Sequence, residues 1–233
     1  MMDDIIDLEV EKIEKILAKV NSDPESEEIK RTERELWEKI LAKTTQGRRT
    51  GVGTTAEGDM LAALGLRYGT PEATAFSVEV HKTLAVEAYR ASVMMARDRG
   101  AFQVFDAEKE KNNPMINRLR EADKSLYEDM LKYGRRNIAM LTIAPTGTTS
   151  LMSQTTSGIE PVFRPVYKRR RKINPSDHNV VATFVDEQGN AFEEYNVYHH
   201  KFVDWLTING YDTTRLQTIS DEELQRWVDA SPY

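Results

Sequence analysis

The residues best suited to hold a charged ligand lie together at Pro145-Thr146-Gly147-Thr148-Thr149-Ser150. Pro145 removes a backbone donor and ends the apolar run before it. Gly147 lets the chain turn where a side chain would be in the way. Thr148, Thr149 and Ser150 are capping residues, and Leu151 and Met152 can begin a short helix. The preceding run, Ile138, Ala139, Met140, Leu141 and Ile143, has the length and composition of one buried strand. Strand, tight turn and helix start would aim several N–H groups and hydroxyls at one spot, which suits a phosphate. No Lys follows the glycine, so this is not a Walker loop. On spacing alone, an ordinary capped strand-to-helix turn is the preferred account.

Other chemistry is restricted. The chain contains no cysteine, which excludes disulfides, thiolate metal sites and thiol catalysis within it. His200 and Asp204 stand four residues apart on an expected helix, but no third ligand accompanies them, so no metal site is expected. Gly51-Val52-Gly53 invites a dinucleotide reading, yet position 56 is Ala and no βαβ unit with a well-placed acid follows. A strand passing close to another backbone explains these glycines better. Arg135-Arg136 could bind phosphate, although such pairs are more often exposed or salt-bridged. The run Lys168-Arg169-Arg170-Arg171-Lys172 could mark nucleic-acid binding. A formal net charge of −6 instead favours a strand solvated on both faces or facing acids.

These residues must be positioned by elements that the pattern makes legible. Apolar residues at Ile6, Val10, Ile13, Leu17 and Val20 predict an amphipathic helix over 4–21, and a second helix follows Asp23-Pro24 over about 25–44. Residues 56–64 read as helical. Thr70 as cap and Pro71 at the first position start a long helix over 71–99. Its apolar residues fall on two faces (Phe76, Val80, Leu84, Ala88, Ala91, Met95; and Val78, Val86, Tyr89, Val93), which predicts burial between layers. Helical turns follow at 115–121 and 126–133. Beyond residue 165, a strand over 166–173 precedes a hairpin, 180–185 and 192–198, about Asp186–Asn190. A helix opens at His199-His200, and Ser220-Asp221-Glu222-Glu223 is a capping box for a last one. The 233 residues, 39% hydrophobic and 30% charged, describe a soluble globular chain. It has no apolar run of membrane-spanning length and no signal peptide, so a cytoplasmic location is expected.

Pro145-Thr146-Gly147-Thr148-Thr149, followed by Gly158-Ile159-Glu160-Pro161, closely resembles the phosphate-binding turn of ribonucleotide reductase catalytic subunits. A second block, Gly47-Arg48-Arg49-Thr50-Gly51-Val52-Gly53 and then Asp59-Met60-Leu61-Ala62-Ala63-Leu64-Gly65, resembles the same family in the same order. The resemblance implies an α/β, helix-rich fold: a partial, second-half segment of the family's ten-stranded α/β barrel, with an inserted β-hairpin. It divides the chain into a helical hairpin (1–46), a barrel segment with the phosphate turn (47–165), and a β-hairpin with C-terminal helices (166–233).

The implied reaction is radical reduction of a ribonucleotide to a 2′-deoxyribonucleotide. Pro145, Thr146, Gly147, Thr148, Thr149 and Ser150 would hold the phosphates of a ribonucleoside di- or triphosphate. The family's radical and redox cysteines and its Asn-x-Cys-x-Glu loop have no counterpart here. No catalytic residue is therefore expected in this chain, and the isolated chain should be inactive. The implied partner is the remaining, cysteine-bearing reductase polypeptide, the chain being a split or truncated piece that looks cut at both ends. Gly147 stands where relatives can carry an acid, which removes a proton-transfer role from the turn. The basic strand, acidic hairpin and His-His-Lys-Phe segment look most like adenosylcobalamin-dependent reductases. That cofactor would be bound mainly by the partner, with none held by this chain alone. The other classes left open are a non-catalytic nucleotide-binding or regulatory fragment, and a nucleic-acid-binding module built on Lys168–Lys172. Neither a membrane nor a nucleic acid is an expected partner.

Overall fold

The computed structural model describes residues 1–174, 176–177 and 179–233. The helices are α1 (Met2–Ser22), α2 (Glu27–Gly47), α3 (Glu57–Ala63), α4 (Pro71–Arg99), α5 (Ala107–Glu110), α6 (Pro114–Ala122), α7 (Lys124–Tyr133), α8 (Gly147–Ser153), α9 (His200–Ile208) and α10 (Asp221–Ala230). The strands are β1 (Val166–Lys172), β2 (Phe184–Val185) and β3 (Ala191–Tyr198). Local chemistry places many of these ends. Ser26, Asn113, Asp123 and Ser220 each accept a backbone N–H in the first turn of the helix they precede, and Pro114 opens α6. The Thr70 hydroxyl accepts the Ala73 amide at the start of α4.

The fold forms two compact units, each assembled from separated stretches. One comprises Met1–Gly53 and Ser77–Thr142, the other Thr54–Phe76 and Ile143–Tyr233. In the first, Tyr89 and Val93 of α4 pack with Ile116, Leu119, Leu126 and Met130 of α6 and α7, and with Met140. In the second, Phe202 and Leu206 of α9 pack with Ile219, Leu224 and Trp227. The sheet of the second unit has the order β1-β3-β2 and is antiparallel, with Val166 opposite Tyr198 and Lys172 opposite Phe192.

Several expectations change: the hairpin arm expected over 180–185 is a strand only at Phe184–Val185, and α5 is an unexpected helix. The run 138–143 is not a full strand: it is extended and makes one parallel bridge, Val52 to Leu141. Bonds from Thr50 N to Ala139 O (3.0 Å), Val52 N to Met140 O (2.7 Å) and Thr142 N to Val52 O (2.9 Å) hold it. A parallel pair with a single, glycine-bearing neighbour has little to extend its ladder. The glycines themselves behave as expected, because a Cβ on Gly53 would stand 2.4 Å from Thr142 O. Helix α4 is not buried on two faces. Tyr89, Ser92, Val93 and Ala96 are buried, while Phe76, Val78 and Met94 are 39%, 56% and 52% exposed. The part of α4 that meets a core is the stretch around Val86, Ala88, Tyr89 and Val93.

A buried polar cluster ties the first unit together. The Asp3 side chain is fully buried and accepts from Arg48 Nε at 2.7 Å, Arg136 Nε at 3.0 Å and Asn137 Nδ2 at 3.1 Å. Arg48 also donates to Asp3 O (2.8 Å), and Asn137 donates to Arg48 O (3.0 Å) and exchanges bonds with Ser92 Oγ. Arg48 sits at φ 45°, a left-handed conformation that costs about 1–3 kcal/mol and persists because these bonds hold it. Burial by itself would raise the Asp3 pKa, but the hydrogen bonds and charges of Arg48 and Arg136 outweigh it and hold the carboxyl below its ordinary value. Asp3→Ala should destabilise this unit by about 3 kcal/mol, because it removes the acceptor shared by Arg48, Arg136 and Asn137 and leaves the nearly buried Arg48 with Asp7 as its remaining acid; denaturant unfolding measures this. The carboxylate's contribution is complete above its ordinary pKa of 3.8 and is lost as pH falls through the lower folded value. Acid unfolding below that pH should accordingly be shallower in Asp3→Asn than in the parent.

Candidate functional site

The six turn residues lie in the second unit, and the structure gives them different surroundings. Thr146, not Gly147, is the left-handed residue, with φ 46° and ψ 26°, and it is the residue preceding α8. Gly147 has no positive φ, is the first residue of α8, and faces open space where a Cβ would be. Thr146 can hold its conformation because its hydroxyl is anchored: Oγ1 accepts the Gly158 amide at 2.7 Å and shares a hydrogen bond with Thr55 Oγ1 at 3.0 Å. Gly158 in turn accepts the Glu57 amide on its carbonyl at 3.3 Å. Ser150 is buried, and its hydroxyl donates back to Gly147 O at 2.7 Å. Pro145 offers no N–H.

Gly147, Thr148 and Thr149 remain, all exposed. Their amides are the first of α8, which have no partner inside a helix. None has an acceptor among the described residues, whereas the next amide, Ser150 N, is bonded to Thr146 O at 2.9 Å. The hydroxyls of Thr148 and Thr149 likewise make no side-chain hydrogen bond among the described residues. The arrangement is a set of outward N–H donors with two hydroxyls beside them, able to bind an oxyanion.

The loop that follows α8 is fastened to α3. Asp59, in the first turn of α3, accepts the Thr156 amide on Oδ2 at 2.9 Å, and its own amide donates to Thr156 Oγ1 at 3.3 Å. Its other oxygen, Oδ1, is 2.8 Å from His199 Nε2. Burial acts to raise the Asp59 pKa, but the bonds from His199 and Thr156 outweigh it and keep the group ionised below its ordinary range. An ionised carboxylate only accepts, so Nε2 carries the hydrogen. Tyr233 packs edge-on against the His199 ring, and burial, then the charges of Asp59 and Asp204, push its pKa up to about 12. In the sequence Asp59 stands out only within a motif, and His199 only as a helix start and as part of the His-His-Lys-Phe segment. A pair separated by 140 positions leaves no local signal.

Most of the remaining charged candidates are engaged. Arg135 is buried and pairs with Glu110, and Arg136 pairs with Asp3 at 3.0 Å. On β1, Arg170 and Arg171 pair with Glu194 and Glu193 of β3, and Lys168 with Asp221. Acids opposite the strand therefore explain much of the basic run. Asp204 pairs with Lys201 at 3.5 Å, and no cluster able to hold a metal ion occurs among the described residues. No helix among them is long and apolar enough to cross a membrane.

The helix-rich fold with its one small sheet, and the anchored turn before α8, belong to a recognisable class. The family described as ribonucleotide reductase, barrel domain, matches residues 3–230, and this chain belongs to it. Among curated proteins, it is 32% identical over 123 residues to a vitamin B12-dependent ribonucleoside-diphosphate reductase of Mycobacterium tuberculosis (strain CDC 1551 / Oshkosh), covering 52% of this chain and 15% of that protein. It is 30% identical over 133 residues to the protein of the same description in Thermoplasma acidophilum, covering 57% and 15%. It is 26% identical over 128 residues to a ribonucleoside-diphosphate reductase subunit alpha of Treponema pallidum, covering 54% and 15%. The matched stretch is thus a small part of each of those longer proteins.

An open groove of about 480 Å³ is lined by Val162, Phe163, Arg164 and Tyr167. That is the size of a pocket for a small drug-like ligand, with Arg164 as its one cationic lining residue.

Two glycines report on how the turn is built. A Cβ on Gly58 would lie 2.5 Å from Pro161 Cα and 2.8 Å from Glu160 O, whereas one on Gly147 meets nothing within 4 Å. Gly58→Ala should lower stability by about 1–3 kcal/mol despite the better helix propensity of Ala. Gly147→Ala should leave it unchanged or raise it by up to about 1 kcal/mol. Thermal unfolding of the two variants side by side measures the contrast.

Proposed function

We propose that this chain is the phosphate-holding portion of a ribonucleotide reductase, completing a barrel with a cysteine-bearing partner polypeptide. The observation that carries this reading is the set of unpartnered amides at Gly147, Thr148 and Thr149, standing at the motif by which the chain resembles the family. In this role the three N–H groups and the Thr148 and Thr149 hydroxyls hold the phosphates of a ribonucleoside di- or triphosphate through charge-assisted bonds, with a contribution from the dipole of α8. Thr146 and Ser150 shape the turn, and Pro145 leads into it. Holding the phosphates fixes the ribose beside the partner's radical cysteine, which is catalysis by positioning. The complex reduces the ribonucleotide; alone, a chain with no cysteine does not.

In this reading the segments are a helical hairpin over 1–46, a second-half barrel segment over 47–165, and an inserted hairpin with C-terminal helices over 166–233. Exposed apolar side chains on α4 and α8, Phe76, Val78, Leu151 and Met152 among them, support a covering polypeptide. The vitamin B12-dependent relatives support adenosylcobalamin as the radical source, held by the partner. We place the complex in the cytoplasm.

The test is co-purification of the tagged chain from its native lysate, with identification of what accompanies it and a reductase assay on the complex. A cysteine-bearing reductase polypeptide and deoxyribonucleotide formation are expected. Thr148→Pro deletes one phosphate donor where proline suits a first helical turn. It should weaken substrate binding about ten- to a hundredfold, the worth of one bond to a charged group. Recovery of the chain alone, without nucleotide binding, would overturn the reading.

A further inference from the structure

Asp59 makes two connections that no element-level contact explains. One oxygen accepts the amide of Thr156, three residues beyond the end of α8. The other is held by the His199 ring at 2.8 Å. His199 is itself fixed, since its amide donates to Pro165 O at 2.8 Å and its carbonyl accepts Phe202 N at 3.0 Å to start α9. Both side chains are nearly buried, 9% and 13% exposed. The bracket thus runs from α9 through His199 and Asp59 to the loop whose Gly158 amide anchors the Thr146 hydroxyl.

We infer that Asp59, oriented by His199, is a positioning residue for the 146–149 turn. It touches no ligand. By holding Thr156 it keeps Gly158 in reach of Thr146, and Thr146 in the left-handed conformation that turns the α8 amides outward. Without the His199 hydrogen bond, Asp59 would be a nearly buried carboxylate with fewer donors and would hold Thr156 less firmly. The consequence for ligand binding rests on the phosphate reading above; the ordering of the turn does not.

The experiment uses the full chain, with two readouts. Amide hydrogen exchange is followed at Thr156, Gly158 and residues 147–149. Titration with inorganic pyrophosphate measures binding. In Asp59→Asn and His199→Ala, Thr156 and Gly158 should exchange at least tenfold faster, with α6 and α7 as protected as in the parent. His199→Gln, whose amide can place a donor near the position of Nε2, should restore most of the protection, which a merely space-filling histidine would not predict. Pyrophosphate affinity should fall at least fivefold in the first two variants and recover in the third. Unchanged exchange at Thr156 and Gly158, or no difference between His199→Ala and His199→Gln, overturns the inference. Equal pyrophosphate affinity in parent and variants overturns its link to binding. Absence of binding by the parent itself overturns the phosphate reading instead, while the exchange comparison still decides whether the bracket orders the turn. If Asp59→Asn unfolds the second unit, the two His199 variants carry the decision.

Discussion

The buried carboxylate of Asp3 is the constraint on which the first unit depends. A charge removed from water must be paid for by close partners, and here they come from places far apart in sequence: Arg48, Arg136 and Asn137. Satisfying one oxygen pair therefore fixes the N-terminal helix, the turn after α2 and the entry to the extended run together. The strained backbone of Arg48 follows from that arrangement, as does the short parallel pairing of residues 50–52 with 139–142 just beyond it. Ser92 carries the same cluster into the middle of α4 through Asn137.

The second unit repeats the device on a smaller scale. Asp59 is again a nearly buried acid whose two oxygens reach different stretches, Thr156 and His199. The turn before α8 consequently has no need of a glycine at its left-handed position, because a bonded hydroxyl stabilises Thr146 there. Glycine is required instead where backbones crowd. A side chain at Gly58 would collide with Pro161, and one at Gly158 with the Glu160 carboxylate at 2.5 Å. Gly58, next to the Asp59–Gly65 stretch, thus stands directly against Pro161 of the Gly158–Pro161 stretch.

Much of the fold was legible from residue pattern. The 3.6-residue spacing in α1, the Thr70-Pro71 start of α4 and the Ser220 cap of α10 are local signals, and local geometry answers them directly. The reading of β1 as facing acids also follows from net charge, whereas Arg135-Arg136 is open between exposed and salt-bridged until the partners Glu110 and Asp3 decide it. Less legible were the features that depend on what an element packs against. The apolar run 138–143 has strand composition, but a ladder needs neighbours, and one glycine-bearing segment supplies only a bridge. The double apolar stripe of α4 suggests burial on two faces, yet Phe76, Val78 and Met94 are exposed among the described residues.

Sequence alone determined most of the helices (α5 excepted), the family, the absence of thiol chemistry and the location of the turn, because each is written in residue type or short-range spacing. Tertiary structure alone decided which turn residues are available. Thr146 and Thr148 are the same amino acid two positions apart, yet one hydroxyl is anchored to Gly158 and the other is not. It also alone joined Asp59 to His199 and Asp3 to Arg136. Such pairings are settled by the desolvation cost of buried charge across more than a hundred residues of chain, and no periodicity in the sequence records that cost.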